Sequence, residues 1–303
     1  MPNTLTLAVA QLKAGPTSPE VGVRRHLKII EKAQQRGVDL LVFPELSLTG
    51  YSLNDRVPDV ALSHDDDLIL KIANEAVGIT VTFGFIEVSE GALYYNSVMT
   101  VRDGTVLNLH RKINLATYGL LEEGKHFAQG EEVNSFSLGE IAANNTVPTC
   151  RLESASWCAC ALICADHWNP LLLSLAAIRG ANLLLAPIAS ATEAVGGEFS
   201  NPHGWQQNLG NSALTFGSYI LMSNWVGHQD NINFWGGSCI VSPQGKVLTA
   251  VETQSIEQAE GKVDDCLITA VASYSIVKKA RYLLPTLRDL DPYQFVREIT
   301  RKT

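Results

Sequence analysis

The sequence predicts an α/β protein in which mixed β-sheets are covered by helices. Apolar runs typical of buried strands alternate with amphipathic helical patterns from residue 5 onward, and this alternation is present in both halves of the 303-residue chain. Hydrophobic residues make up 46% of the sequence and charged residues 18%, a balance that allows a large buried core. Because no short repeat is found, both halves are expected to contribute to one core.

The first half opens with a strand, a helix and a second strand. Pro19 suits the first position of the helix and Gly37 its end, and acidic residues in the first turn of the next helix suit the helix dipole. The pair Asp103 and Gly104 predicts a hairpin turn. Strands are predicted over residues 5–12, 39–45, 80–88, 94–102 and 106–112, and helices over residues 19–36 and 65–77.

The second half repeats the alternation after a loop. Residues 113–149 are rich in glycine, asparagine and glutamate, and we interpret them as a functional loop region because the alternation resumes directly afterwards. Asn169 and Pro170 are typical of a helix start, and residues 242–245 predict a turn. Strands are predicted over residues 156–163, 181–187, 218–226, 238–242, 246–251 and 266–273, and helices over residues 170–179 and 205–216.

These elements predict one domain over residues 1–280. Residues 281–303 are polar and contain Pro285 and Pro292, so we expect a tail that packs on the domain or on a partner subunit.

Composition excludes several classes of partner. The formal net charge is −8 and the charges are spread along the chain, which argues against nucleic acid. No apolar run approaches the ~18 residues of a spanning helix, and no basic start precedes an apolar stretch, so we expect no membrane partner and a cytoplasmic location. Three of the six cysteines lie within residues 158–164, unlike a spaced disulfide framework, so reduced thiols are expected.

Cys164 is the first candidate for chemistry, because it ends an apolar run shortly before the helix predicted from residue 170. At such a turn a cysteine can project its sulfur beside backbone N–H groups, which suits a nucleophile, although free cysteines are commonly buried core residues. No histidine is an evident partner: His167 is only three residues away. A carboxylate near a cation can serve instead, and both Glu45 and Lys112 stand at predicted strand ends, where open sheets place their sites. Alone, each is more commonly a solvated charge.

Three segments around these residues resemble the signature segments of the nitrilase superfamily, the carbon–nitrogen hydrolases. They are FPELSLTGY at residues 43–51, HRKI at residues 110–113 and LICAD at residues 162–166, in the family's order and at separations usual for it. Further likeness at residues 8–11, 233–238 and 242–245 extends the resemblance over roughly residues 5 to 275.

The resemblance implies a four-layer αββα sandwich, in which two mixed β-sheets are flanked by helices. It also implies a catalytic triad of Glu45, Lys112 and Cys164, and pairing of subunits through the sheet-covering helices into a homodimer or higher homo-oligomer. A second glutamate commonly positions the substrate in this family. It matches Glu123 here, with Glu122 as the alternative, because a loop alignment can slip by one residue.

Residues beside these motifs are expected to complete the site. Tyr51, Tyr118 and Trp168 are candidates for positioning the substrate, although aromatic residues are more commonly core packing. The backbone N–H of Ala165 is expected to join Lys112 in stabilising an oxyanion. Asp166 is expected to hold the turn by hydrogen bonds to the loop backbone.

A zinc site is the alternative interpretation of the cysteine-rich segment. Cys158, Cys160, Cys164 and His167 offer soft ligands within ten residues, but their spacing lacks the paired Cys-x2-Cys pattern of structural zinc. Buried core thiols are the better account of Cys158 and Cys160, so we expect no metal. The implied chemistry also needs no cofactor.

The function expected from the resemblance is hydrolysis of a non-peptide C–N bond in a small amide or N-carbamoyl compound, through a cysteine thioester. Residues 165–168 lack the Trp-Glu pair of true nitrilases, which disfavours nitrile hydrolysis. The pattern Cys-x-Asp-x-Trp resembles the glutaminase domains of NAD synthetases, whereas residues 235–238 resemble free-standing amidases and N-carbamoyl amide hydrolases. Glutaminase-type hydrolysis and acyl transfer to an amine remain alternatives, and a non-catalytic binding protein is the least favoured.

Overall fold

The protein is an αββα sandwich of two mixed β-sheets flanked by helices. The computed structural model describes residues 2–15, 17–119, 121–139, 150–152, 156–192, 195–196, 198–252 and 264–301. The strands are β1 Thr4–Lys13, β2 Leu40–Val42, β3 Thr80–Val88, β4 Tyr94–Arg102, β5 Thr105–Arg111, β6 Ser135–Ser137, β7 Cys158–Ala161, β8 Leu183–Pro187, β9 Tyr219–Ser223, β10 Trp225–Gln229, β11 Ile232–Trp235, β12 Cys239–Val241, β13 Val247–Ala250 and β14 Cys266–Ser273. The α-helices are α1 Pro19–Gln35, α2 Val57–Val60, α3 Asp67–Glu75, α4 Glu123–His126, α5 Pro170–Ile178, α6 Asn201–Phe216, α7 Tyr274–Leu283, α8 Thr286–Asp289 and α9 Pro292–Thr300, and 3-10 turns cover Asn54–Arg56 and Cys164–Trp168.

Each sheet has a parallel centre and antiparallel edges. The first sheet has the order β11-β10-β1-β2-β3-β4-β5. Strand β14 pairs with β1 on the same edge as β10, along the earlier residues of β1. The second sheet has the order β13-β12-β9-β8-β7-β6. Strands β1, β2 and β3 run parallel, as do β7, β8 and β9. The parallel centres bring the ends of β2, β7 and β8 to the same region of the sandwich, where the site lies.

Apolar residues fill the space between the layers. The central core lies between the sheets and joins Leu7 and Val42 of the first sheet to Leu183 and Leu221 of the second. A second core packs α1 and α3 on the outer face of the first sheet, and a third packs α5 and α6 on the second. This arrangement confirms the predicted fold class. None of the helices in the described ranges is long and apolar enough to span a membrane.

Most predicted elements are present with similar bounds. Strands β3 and β4 match their predictions, the Asp103–Gly104 turn joins β4 to β5, and the Asn169 side chain caps α5 by accepting the Leu171 N–H at 3.0 Å. The predicted loop over 113–149 contains the short helix α4 and strand β6, while residues 140–149 lie outside the described residues. Helix α7 was not predicted. The division of the chain near residue 281 stays a prediction.

Two predicted strands differ from the structure. The run 39–45 is a strand only as far as Val42, because Pro44 cannot donate to a ladder and Leu46 has a left-handed backbone (φ 49°). The run 218–226 is two strands: β9 belongs to the second sheet and β10 to the first, with Asn224 at the crossing.

The expectation of reduced thiols is wrong for one pair of cysteines. Cys158 forms a disulfide with Cys150, and their Cα atoms are 6.0 Å apart. Sequence spacing does not show that the chain returns to bring these residues together. Cys160 is a free buried thiol as expected, and burial raises its pKa to about 12.

Candidate active site

Glu45 lies on a tight turn that follows β2. The backbone of Leu46 packs so closely on β3 that a Cβ at Gly84 would lie 2.3 Å from the Leu46 nitrogen, so this position requires glycine. The indole N–H of Trp225 donates to the Glu45 carbonyl at 2.8 Å. These contacts hold the Glu45 side chain in the interior, where it is fully buried.

Lys112 directly follows β5, and both its backbone N–H and its backbone carbonyl form hydrogen bonds. Its N–H donates to the Asn96 carbonyl at 2.9 Å, and its carbonyl accepts the Gly130 N–H at 2.8 Å. The buried ammonium donates to Glu45 Oε1 at 2.6 Å and to Glu123 Oε1 at 2.7 Å. One lysine thus joins two carboxylates from distant parts of the sequence.

Glu123, at the start of α4, joins this cluster, whereas Glu122 does not. Its Oε1 also accepts the Tyr51 hydroxyl at 2.6 Å, and its Oε2 accepts the Ala116 N–H at 2.9 Å. The Glu122 side chain is 58% exposed and pairs with Lys125. The structure therefore places Glu123, and not its neighbour, beside Lys112 and Tyr51.

Cys164 begins the 3-10 turn after β7 and has a left-handed backbone, with φ 44°. Such a conformation costs a non-glycine residue about 1–3 kcal/mol and is found where surrounding contacts enforce it, often at functional sites. The residue is half-buried. The sulfur thus stands at the end of a buried strand, where the sequence predicted it.

The charged cluster acts on the Cys164 thiol. Burial and the negative charge of Glu45 hold the pKa of the thiol well above its usual range, while Lys112 and a hydrogen bond with the Ala189 backbone oppose this rise. A positive charge near a thiol favours the thiolate, and Lys112 supplies such a charge here. Its charge acts in that direction but is outweighed, so the thiol rests protonated and needs a base.

Glu45 has the properties of that base. Burial, with a further contribution from the negative charge of Glu123, raises its pKa despite the opposing charge of Lys112. Its Oε1 accepts the Lys112 ammonium and the Asn96 side-chain N–H, the latter at 2.7 Å. Its Oε2 has no hydrogen-bond partner among the described residues and is free to take a proton.

Lys112 remains an ammonium in this cluster. Burial alone would lower its pKa, but the negative charges of Glu123 and Glu45 outweigh burial and hold the pKa well above its usual value. A fixed positive charge beside the thiol can stabilise negative charge that develops on a reacting carbonyl oxygen.

The remaining predicted residues differ in exposure and in the side chains that they contact. Tyr118 is 45% exposed, and burial together with the nearby Cys164 raises its pKa to about 12. Trp168 is 39% exposed, and its ring packs on Trp205 and Phe199, with centroids 5.2 and 6.0 Å apart. Ala165 directly follows Cys164 in the 3-10 turn, and its role as an oxyanion donor stays a prediction.

Sequence reasoning missed Asn96 and Trp225, which hold the side chain and the backbone of Glu45. Neither belongs to a recognisable motif, although an asparagine within the predicted strand over residues 94–102 is a sequence signal for a polar side chain that needs a hydrogen-bond partner.

The zinc alternative finds no support among the side chains. In the part of the chain that the structure describes, no group of three or more His, Cys, Asp or Glu side chains could hold a metal ion. The disulfide also removes Cys158 from the ligands considered.

A thiol, a carboxylate with a free oxygen and an ammonium group can together support acyl transfer at a carbonyl carbon. The chain belongs to the carbon–nitrogen hydrolase family, which it matches over residues 6–272. The nitrilase-superfamily resemblance found in the sequence is thereby confirmed.

Proteins that are similar to this chain differ in length. The chain is 32% identical over 248 residues to a glutamine-dependent NAD(+) synthetase of Thermotoga maritima, covering 80% of this chain but only 39% of the synthetase. A carbon–nitrogen hydrolase structure from Helicobacter pylori aligns with a TM-score of 0.76 at 20% identity, covering 98% of each chain. A mutant of the amidase from Nesterenkonia sp. AN1, with the acetamide moiety of fluoroacetamide added covalently at the active-site cysteine, aligns with a TM-score of 0.73 at 21% identity, covering 97% of this chain and 96% of that one.

Proposed function

We propose that this protein hydrolyses the C–N bond of a small amide or N-carbamoyl compound through a thioester on Cys164. The observation that supports this most strongly is the Lys112 ammonium held between two buried carboxylates, with the free oxygen of Glu45 available to a protonated thiol. Covalent addition at the cysteine of the Nesterenkonia amidase is consistent with this chemistry.

In the first half-reaction, Glu45 Oε2 takes the Cys164 proton as the sulfur attacks the carbonyl carbon. Negative charge on the carbonyl oxygen is stabilised by Lys112 and the Ala165 N–H. The C–N bond then breaks, and Glu45 gives its proton to the departing nitrogen, which leaves as ammonia or an amine. The acyl group remains on Cys164 as a thioester.

In the second half-reaction, Glu45 takes a proton from water as the water oxygen attacks the thioester carbon. The C–S bond breaks and the sulfur regains a proton from Glu45. The product is a carboxylic acid from an amide, or a carbamic acid from an N-carbamoyl compound. Every group in this cycle belongs to the chain, the substrate or water.

Charge at the site favours uncharged substrates. The charged groups that act most strongly on Cys164 are two carboxylates and one ammonium, which leave a net negative charge. A substrate carboxylate close to the scissile bond would be repelled by this cluster. We therefore expect neutral amides and N-carbamoyl amines to react faster than N-carbamoyl amino acids.

Glutamine hydrolysis is the second candidate, because the chain resembles NAD synthetases over about two fifths of their length. A panel of neutral primary amides, glutamine, N-carbamoyl amines and N-carbamoyl amino acids tests both proposals by ammonia release. Release that is lost in Cys164→Ala supports hydrolysis and identifies the substrate class. Turnover that persists in Cys164→Ala refutes the thioester mechanism.

A further inference from the structure

Asp166 is a fully buried carboxylate that no step of the proposed reaction uses. Its Oδ1 accepts the N–H of Ile113 at 3.1 Å and of Asn114 at 2.7 Å. Its Oδ2 accepts the N–H of Ile163 at 3.0 Å and contacts His110 Nε2 at 2.9 Å. Backbone and side-chain donors thus surround both oxygens of one buried side chain.

These contacts join the two chain segments that carry the reacting groups. His110, Ile113 and Asn114 flank Lys112 at the end of the first sheet, whereas Ile163 precedes Cys164 at the end of the second. Asp166 is therefore a short link between the sheets at the level of the site. The side chain is 0% exposed and that of His110 1%, so water does not compete for these hydrogen bonds.

The same link supports the strained turn at Cys164. A cysteine with φ 44° is retained only when its surroundings fix it. Asp166 fixes the residue before Cys164 through the Ile163 N–H, and its own N–H donates to the Ile163 carbonyl at 2.9 Å. These two bonds close the turn from both directions.

We propose that Asp166 is a positioning residue that sets the placement of Lys112 relative to the Cys164 sulfur. This inference rests on the proposed function. Asp166 acts through His110 and the backbone that follows Lys112. Loss of its carboxylate should slow the chemical step and leave substrate binding largely intact.

Asp166→Asn tests this proposal because it keeps the shape of the side chain but replaces one of the two acceptor oxygens with an NH2 donor. The amide oxygen can still accept from Ile113 and Asn114. The amide NH2 then faces the Ile163 N–H and His110 Nε2–H, which sets donors against donors. Glu87→Gln is the matched control: Glu87 is also fully buried, accepts the Ser97 hydroxyl at 2.7 Å, and pairs with Arg111 beside Lys112.

The experiment measures kcat, KM and the iodoacetamide alkylation rate of the Cys164 peptide by mass spectrometry. For Asp166→Asn we expect a loss of about 100-fold in kcat, the effect of a displacement near 1 Å, with KM little changed. We expect Cys164 alkylation to slow by about tenfold. Glu87→Gln should keep kcat and alkylation near the wild-type values, whatever its melting temperature.

Near-wild-type kcat and alkylation in Asp166→Asn would overturn the proposal, as would equal losses in Glu87→Gln. Alkylation needs no substrate, so slowed alkylation in Asp166→Asn supports positioning even if no amide in the panel is hydrolysed. Slowed alkylation without hydrolysis of any amide would contradict the proposed function but would still support the positioning role of Asp166.

A second pair of variants covers the case in which Asp166→Asn does not fold. His110→Gln keeps an N–H donor near the position of Nε2, whereas His110→Phe removes it. Alkylation should be slow in His110→Phe and largely restored in His110→Gln. Equal rates in the two variants would refute the role of this link.

Discussion

Glu45→Gln separates the proton-accepting role of Glu45 from its structural one. The glutamine oxygen can accept from Lys112 and Asn96 as Oε1 does, which leaves the amide NH2 in the place of the free Oε2. Lys112 keeps Glu123 as its counter-ion, so the cluster persists without a base for Cys164. General-base catalysis contributes about 10²–10⁴-fold in rate, so we expect kcat to fall by that factor, which is about 3–5 kcal/mol of activation free energy.

The assay is ammonia release from the best substrate of the panel, with a single-turnover measurement of acylation. Glu87→Gln makes the same chemical change at another buried carboxylate of the first sheet and should retain activity. A Glu45→Gln variant whose acylation rate stays within about tenfold of wild type would refute the assignment of the base.

Three further predictions concern pH and assembly. Because Glu45 must be ionised and its pKa is raised, kcat/KM should fall as pH drops through a value above the ordinary 4.5; an acid limb at or below 4.5 would contradict this. Burial lowers the pKa of His26 to about 3 and of His167 to about 4, so the unfolded chain binds protons first as pH falls below 6.5. Each of these two histidines should therefore lower the free energy of unfolding by about 2 kcal/mol at pH 5. A urea midpoint that is unchanged between pH 7 and pH 5 would refute this. Leu171 and Leu175 on α5 are 51% and 43% exposed, so light scattering should show an oligomer that Leu175→Glu dissociates; a monomeric wild type would contradict this.

Much of the fold was predictable because short sequence patterns, such as apolar runs, turn residues and capping residues, determine its strands and helices. Hairpin β4–β5 follows from its apolar runs and the Asp103–Gly104 turn, and α5 from its capping residues. The single run over 218–226 is different. Its apolar pattern is continuous, but β9 and β10 belong to different sheets, and periodicity carries no information about which sheet a strand joins.

The site was predictable only as far as its motifs reach. Glu45, Lys112 and Cys164 stand within motifs, whereas Glu123 required a choice between neighbours that only the Lys112 and Tyr51 contacts decide. The Cys150–Cys158 disulfide and the Asn96 contact with Glu45 arise from the path of the chain in space. Spacing in the sequence does not encode such contacts.

The same limit applies to electrostatics. The family resemblance groups Lys112 with Cys164, and a lysine beside a cysteine favours the thiolate. In the folded protein, burial and Glu45 outweigh Lys112, so the pKa of Cys164 is raised. Burial of this kind depends on tertiary packing and is not visible in the motif.

The most direct test of the thioester mechanism is mass spectrometry of the Cys164 peptide after acid quench during turnover of the best amide. The account predicts a mass increase equal to the acyl group on that peptide, and its disappearance in Cys164→Ala together with activity. An adduct on Cys160 instead, or undiminished turnover by Cys164→Ala, would contradict the account.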